Sequence, residues 1–186
     1  MKAAHCQNAV VLRCNEPRFV CDAMLGGLAR WLCAWGYDAI FLRDVADWDL
    51  IRVAQQQGRI LLSSDRGIFQ IGWVRDGDLP ALFIPPGIDR QQQLELVCQH
   101  FRLPRREPHC MRCGGQLQEV AKQDVWERIP PKTRLWLDHF YQCQRCGQLF
   151  WEGTHWQQIE RHLESLHEKL TSPSPSPGLP GPRASV

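Results

Sequence analysis

No run of apolar residues in this chain approaches the roughly 20 residues needed to span a membrane. The first residues, Met1–Val10, also lack the apolar stretch of a secretory signal. The expectation is therefore a cytoplasmic protein with no membrane partner. Basic residues form no block or tail: 22 Lys and Arg face 20 Asp and Glu, a formal net charge of +2. Charge alone thus does not call for nucleic acid. Neither G-x-x-x-x-G-K-[ST] nor G-x-G-x-x-G occurs, which leaves P-loop nucleotide hydrolysis and dinucleotide redox chemistry without support. There is no G-x-S-x-G elbow and no Ser-His-Asp order for acyl transfer.

What is present supports a packed core. Apolar residues make up 44% of 186, enough for one ordinary domain and a small second one. Nine cysteines in an intracellular chain read as thiols and metal ligands, not as a disulfide framework. Five of these, Cys6, Cys14, Cys21, Cys33 and Cys98, share no metal-like spacing and read as buried or incidental.

Residues 1–17 read as a lead-in, and residues 18–104 alternate short apolar runs with helical patterns. Phe19-Val20-Cys21 predicts a strand ending at Asp22, and Leu25, Leu28, Ala29, Leu32 and Trp35 then recur at helical spacing up to Gly36. Ala39 to Leu42 predicts a second strand, followed by a helix with Asp47 as its cap and Gly58 as its stop. Ile60 to Leu62 and Ala81 to Ile84 predict two more strands, and Asp89 caps a last helix. Such alternation means an α/β fold: a parallel sheet flanked by helices.

Functional groups of parallel sheets collect beyond the carboxyl ends of the strands. Asp22 and Asp65 fall there directly, and Asp49 falls in the first turn of a helix starting from the same edge, with Asp44 and Asp47 as competitors. Clustered carboxylates repel one another, so a cation must offset them. Arg66 or Arg30 is one source of that charge. A Mg²⁺ or Mn²⁺ ion is the other, and it would point to phosphodiester hydrolysis.

Residues 105–168 change character, and 169–186, rich in Ser, Pro and Gly, are expected to form a disordered tail. Cys110-Met-Arg-Cys113 and Cys143-Gln-Arg-Cys146 are paired knuckles, each followed by a glycine, Gly114 or Gly147. Four thiolates satisfy tetrahedral Zn²⁺ and leave no open coordination position, which makes the zinc structural. His109, His139 and His155 are then surplus as ligands.

The runs Phe19–Leu32 (FVCDAMLGGLARWL), Gly36–Asp38 (GYD) and Gly58–Arg66 (GRILLSSDR) resemble the Mut7-C RNase domain family. So do the two knuckles, Arg128-Ile-Pro-Pro131 between them, and Phe150–Trp156 (FWEGTHW) after them. The resemblance implies a PIN-like nuclease fold with a C-terminal zinc ribbon, and a metal-dependent ribonuclease acting on RNA, taken to be single-stranded. It carries the acids onto Asp22, Asp65 and one of Asp49, Asp44 and Asp47, with Ser63 where such domains place a threonine. Gly27, Cys33 and Ser64 stand where the family often has basic residues, and each implies a lost phosphate contact. Trp151, Trp156, His155 and Arg145 are candidates for RNA contact, the tryptophans equally for covering a small zinc-module core. A non-catalytic RNA-binding or adaptor module is the alternative function.

Overall fold

The structure, a computed structural model, describes residues 16–172. Cys6, Cys14, nearly all of the lead-in and most of the expected tail lie outside the described residues.

Four short strands, β1 (Phe19–Cys21), β2 (Ala39–Phe41), β3 (Ile60–Ser63) and β4 (Ala81–Phe83), form a parallel sheet in the order β2-β1-β3-β4. Helix α1 (Gly26–Trp35) links β1 to β2, and α2 (Asp47–Gln57) links β2 to β3. A 3₁₀ turn and α3 (Gly72–Arg75) precede β4, and α4 (Arg90–Phe101) follows it. Side chains alternate across a strand, and here both faces are buried. Phe19, Cys21, Ile60 and Leu62 pack with Leu28 and Leu32 of α1 and Leu94 and Val97 of α4. Val20 and Leu61 face the opposite layer, with Leu50, Ile51 and Ala54 of α2 and Val74 of α3.

The glycine stops are as expected: Gly36 and Gly58 end α1 and α2 with φ of 104° and 58°, a conformation that favours residues without a Cβ. Asp89 caps α4 in a reciprocal box with Gln92. Asp47 does not cap α2. It is the first helical residue, and Ala46 occupies the cap position without a side-chain hydrogen bond.

The second module is an antiparallel sheet of β5 (Leu117–Val120), β6 (Phe140–Cys143) and β7 (Leu149–Trp151), with the short helix α5 (Pro131–Arg134) inserted between β5 and β6. Its own core is small: Val125, Ile129, Phe140 and Leu149. Helix α6 (Thr154–Thr171) then leaves it and packs on the first domain, where Ile159, Leu163 and Leu166 are buried in the α1 and α4 layer. Burying each such side chain stabilises the fold by about 1.5–3 kcal/mol. The change of character across residues 105–168 hides a regular apolar pattern at its end. Trp156, Ile159, Leu163, Leu166 and Leu170 lie three or four residues apart and make one helical stripe. No helix of the described residues is long and apolar enough to cross a membrane.

A buried ion pair closes the amino edge of the parallel sheet. Arg59 and Asp38 side chains are 3% and 11% exposed and meet in two bonds of 3.0 and 2.9 Å. The Arg59 guanidinium also donates to the carbonyls of Phe19 and Asp38. Cys21, Cys33 and Cys98 are buried. Burial pushes the Cys33 and Cys98 thiols up to about 12, so both stay neutral and serve as small apolar fillers.

Removing one partner of a buried pair strands the other charge. Arg59→Leu should therefore cost about 3–5 kcal/mol in urea unfolding. Leu163→Ala should cost about 2–5 kcal/mol, although it lies in the last helix. A loss below about 1 kcal/mol for Leu163→Ala would show that α6 is not part of the cooperative fold.

Candidate functional site

In register, Cys21 of β1 is level with Phe41 of β2 and Leu62 of β3. The next residues, Asp22, Leu42 and Ser63, thus share one level at the carboxyl edge. Backbone bonds continue the pairing there, from Asp22 N–H to the Leu62 carbonyl (3.1 Å) and from Leu42 N–H to the Cys21 carbonyl (3.3 Å). The chain passes from β1 outward to β2 and then returns to β3 on the other side of β1. A crevice opens where strand order reverses in this way, and Asp22 stands at it.

Asp22 is held by four donors. Its Oδ1 accepts from Met24 N–H (2.9 Å) and Leu25 N–H (3.1 Å), and its Oδ2 from Ser63 Oγ–H (2.6 Å) and Ser64 N–H (2.8 Å). A carboxylate offers about four lone-pair sites, so the chain engages all of them. The Ser63 hydroxyl is fully buried and in turn accepts from Asp65 N–H at 3.0 Å. Asp65 is exposed, and its Oδ1 accepts from Gly67 N–H at 2.7 Å. Asp22, Ser63 and Asp65 thus form one hydrogen-bonded chain across the ends of the two central strands.

The third acid is not drawn in. Asp49 is exposed on α2 and pairs with Arg52 at 3.2 Å. Asp44 is exposed beyond β2 in a left-handed conformation (φ 53°), and Asp47 is exposed at the start of α2. Among the described residues, the one group of three or more His, Cys, Asp or Glu side chains placed to share an ion is Cys110, Cys113, Cys143 and Cys146. Nor do Arg30 and Arg66 neutralise the acids: their guanidinium carbons lie 5.7 and 5.5 Å from the ring centres of Phe41 and Phe83. Of the three positions where a basic residue was expected, Cys33 is 1% exposed and donates its S–H to the Ala39 carbonyl at 3.1 Å, so that position faces no substrate. Ser64 spends its N–H on Asp22. Gly27 leaves room for Arg90, whose Nε lies 2.6 Å from where a Cβ would stand.

The cysteine cluster meets a tetrahedral ion well. All four Sγ atoms lie within 4.8 Å of one another, with Cys110–Cys146 at 3.7 Å and Cys113–Cys143 at 3.5 Å. Ligands about 2.3 Å from a tetrahedral Zn²⁺ stand about 3.8 Å apart, so the four thiols can hold a structural metal such as zinc. Gly114 and Gly147, at φ of 73° and 71°, make the tight turns after each second cysteine. Burial raises the Cys143 thiol, but N–H donors from Cys146 and Arg145, then the neighbouring thiols, outweigh it and bring the group down to about 7. Burial pushes Cys110 well up, which a bound cation would have to reverse.

This cluster sits at the amino edge of the parallel sheet, away from the acids. Gly114 packs so closely on Asp38 that an added Cβ would lie 2.2 Å from its Oδ1. Arg145 donates to the Cys113 carbonyl (2.7 Å) and reaches Asp38 (3.5 Å), and His109 N–H bonds to the Cys33 carbonyl (2.7 Å). Strands of three residues put about 10 Å between the two edges. Trp151 completes the module's small core, and Trp156 packs α6 on the α1 and α4 layer of the first domain. Arg145 is committed to bridging the modules, and only His155 of that candidate set is exposed and unengaged among the described residues.

Purified protein should carry about one zinc per chain by elemental analysis, as four thiolates complete one site. Cys110→Ser with Cys143→Ser should abolish it and lower the melting temperature, because the knuckle rests on Asp38. Well-folded wild type without zinc would overturn this reading of the cluster.

A family model described as Mut7-C RNAse domain matches residues 17–163. The human protein named exonuclease mut-7 homolog is 25% identical over an alignment of 248 residues, covering 90% of this chain and 28% of that protein. The chain thus spans little more than a quarter of this curated relative. No solved structure matches. With the matched region running from just before β1 into α6, and so across both the acid edge and the cysteine cluster, the chain belongs to the Mut7-C RNase domain family.

Proposed function

We propose that this protein is a PIN-like, metal-dependent ribonuclease that hydrolyses phosphodiester bonds in single-stranded RNA at the carboxyl edge of the parallel sheet. The observation that carries this reading is the chain Asp22–Ser63–Asp65, which fixes two acids at the point where strand order reverses. Membership of an RNase domain family and the likeness to a protein named an exonuclease support it.

Asp22 and Asp65, with Asp49 or Asp44 as the third acid, would hold Mg²⁺ or Mn²⁺. Such an ion, when bound, lowers the pKa of a water and stabilises the leaving oxygen. The residues fit it in part. Asp65 Oδ2 has no hydrogen-bond partner among the described residues, whereas Asp22 must give up one of its four donors. The Ser63 hydroxyl orients Asp22 and braces the Asp65 loop, so the carboxylates hold their positions without a substrate. Trp48, 58% exposed between Asp47 and Asp49, offers a face on which a base can stack beside the acids.

A second reading, a non-catalytic RNA-binding module, draws on the same geometry: a saturated Asp22 and an Asp49 paired with Arg52. Cleavage of a labelled single-stranded RNA with Mn²⁺ or Mg²⁺ separates the two. Asp65→Asn and Asp22→Asn should each lower kcat/KM by about 100-fold or more, the scale on which charge stabilisation acts. Circular dichroism should confirm that both variants fold. Equal cleavage by wild type and both variants would remove these acids from catalysis. Metal-independent RNA binding with no cleavage would favour the second reading.

A further inference from the structure

Most arginines of the described residues are tied down. Arg52, Arg59, Arg75, Arg105, Arg106 and Arg145 pair with carboxylates. Arg18, Arg112, Arg128, Arg134 and Arg161 hydrogen-bond carbonyl or amide oxygens. Arg30, Arg43, Arg66 and Arg90 do neither among the described residues, and all four stand around the carboxyl edge of the parallel sheet. Arg102, at the far end of α4, is the remaining arginine without such a partner among the described residues.

Three of the four form a connected track on the α1 side. Arg43 and Arg30 both lie over the ring of Phe41, at 5.3 and 5.7 Å from its centre. Trp31 follows Arg30 in α1, and Arg90 lies over it at 5.7 Å. Two glycines shape this track: an added Cβ at Gly26 would touch the Phe41 ring at 3.0 Å, and one at Gly27 would displace the Arg90 guanidinium. Two guanidiniums on one ring, with no carboxylate partner among the described residues, leave positive charge that phosphates can neutralise. The rings hold the arginines in a row, and a row of positive charge suits the successive phosphates of a single strand.

We propose that Arg43, Arg30 and Arg90, mounted on Phe41 and Trp31, are the phosphate-binding track that leads single-stranded RNA to Asp22. This rests on the ribonuclease reading for its substrate, but it concerns binding and is tested without cleavage. Arg66, on the Phe83 ring beside Asp65, continues the positive rim on the other side of the acids.

The test is fluorescence anisotropy of a short labelled single-stranded RNA, at several salt concentrations, without added divalent ions. Each phosphate contact contributes about 0.7 to the slope of log affinity against log salt on single strands. The triple variant Arg30→Ala, Arg43→Ala, Arg90→Ala should weaken binding about tenfold or more and flatten that slope by about 2. Arg75→Ala, Arg112→Ala, Arg161→Ala removes the same charge elsewhere and should leave the slope unchanged. Gly27→Lys added to Arg90→Ala should restore part of the lost affinity. Wild-type affinity and slope in the first triple variant, equal weakening by the second, or no RNA binding by wild type would each overturn the track. Arginine-dependent binding with no effect of Asp22→Asn and Asp65→Asn on cleavage keeps the track and removes the acid site. Cleavage that depends on those acids but is unchanged in the first triple variant keeps the nuclease and removes the track.

Discussion

The ion pair between Arg59 and Asp38 organises the molecule. One guanidinium binds both oxygens of a nearly buried carboxylate and two main-chain carbonyls, so it joins the starts of β1, β2 and β3 at a single point. A pair so buried is costly to desolvate, and its return is geometric as much as energetic. The same Asp38 receives the knuckle glycine Gly114 and faces Arg145. The cysteine module is thereby attached to the amino edge of the sheet, and the carboxyl edge stays open.

This attachment separates two kinds of charge. At one edge four thiols converge where a structural cation can draw them together. At the other, Ser63 hydrogen-bonds the Asp22 carboxylate and the Asp65 main chain, and arginines with no carboxylate partner among the described residues stand on aromatic rings around the two acids. Helix α6 secures the arrangement by returning from the cysteine module to pack its apolar stripe on α1 and α4.

Much of the first domain was legible in the sequence because its signals are local. Apolar runs of three or four residues ending in Asp22 or Ser63, glycines at helix ends and a capping box at Asp89 each state their own conformation. Alternation of such runs with helices then implies a parallel sheet. The knuckles were legible for the same reason, since the spacing of two cysteines reports one turn of chain. Helix α6 was missed although Trp156, Ile159, Leu163, Leu166 and Leu170 carry its period. Its polar residues outnumber that stripe, and the stripe gains its meaning only from the α1 and α4 surface it meets. The roles of Trp151 and Trp156 were left open because a tryptophan that completes a core and one that stacks on a base look alike in sequence.

The sequence by itself determined which residues lie at strand ends, which cysteines pair into knuckles and which glycines turn the chain, because these follow from neighbours a few positions away. Only the tertiary structure decided what those residues meet. It joined Asp22 to Asp65 through Ser63, left Asp49 with Arg52, and took Arg30 and Arg66 from the acids to Phe41 and Phe83. It also filled the space at Gly27 with Arg90 from a distant helix and buried Cys33 away from any substrate. These pairings depend on the distances between elements far apart in the chain, which are set by how the two sides of the sheet pack.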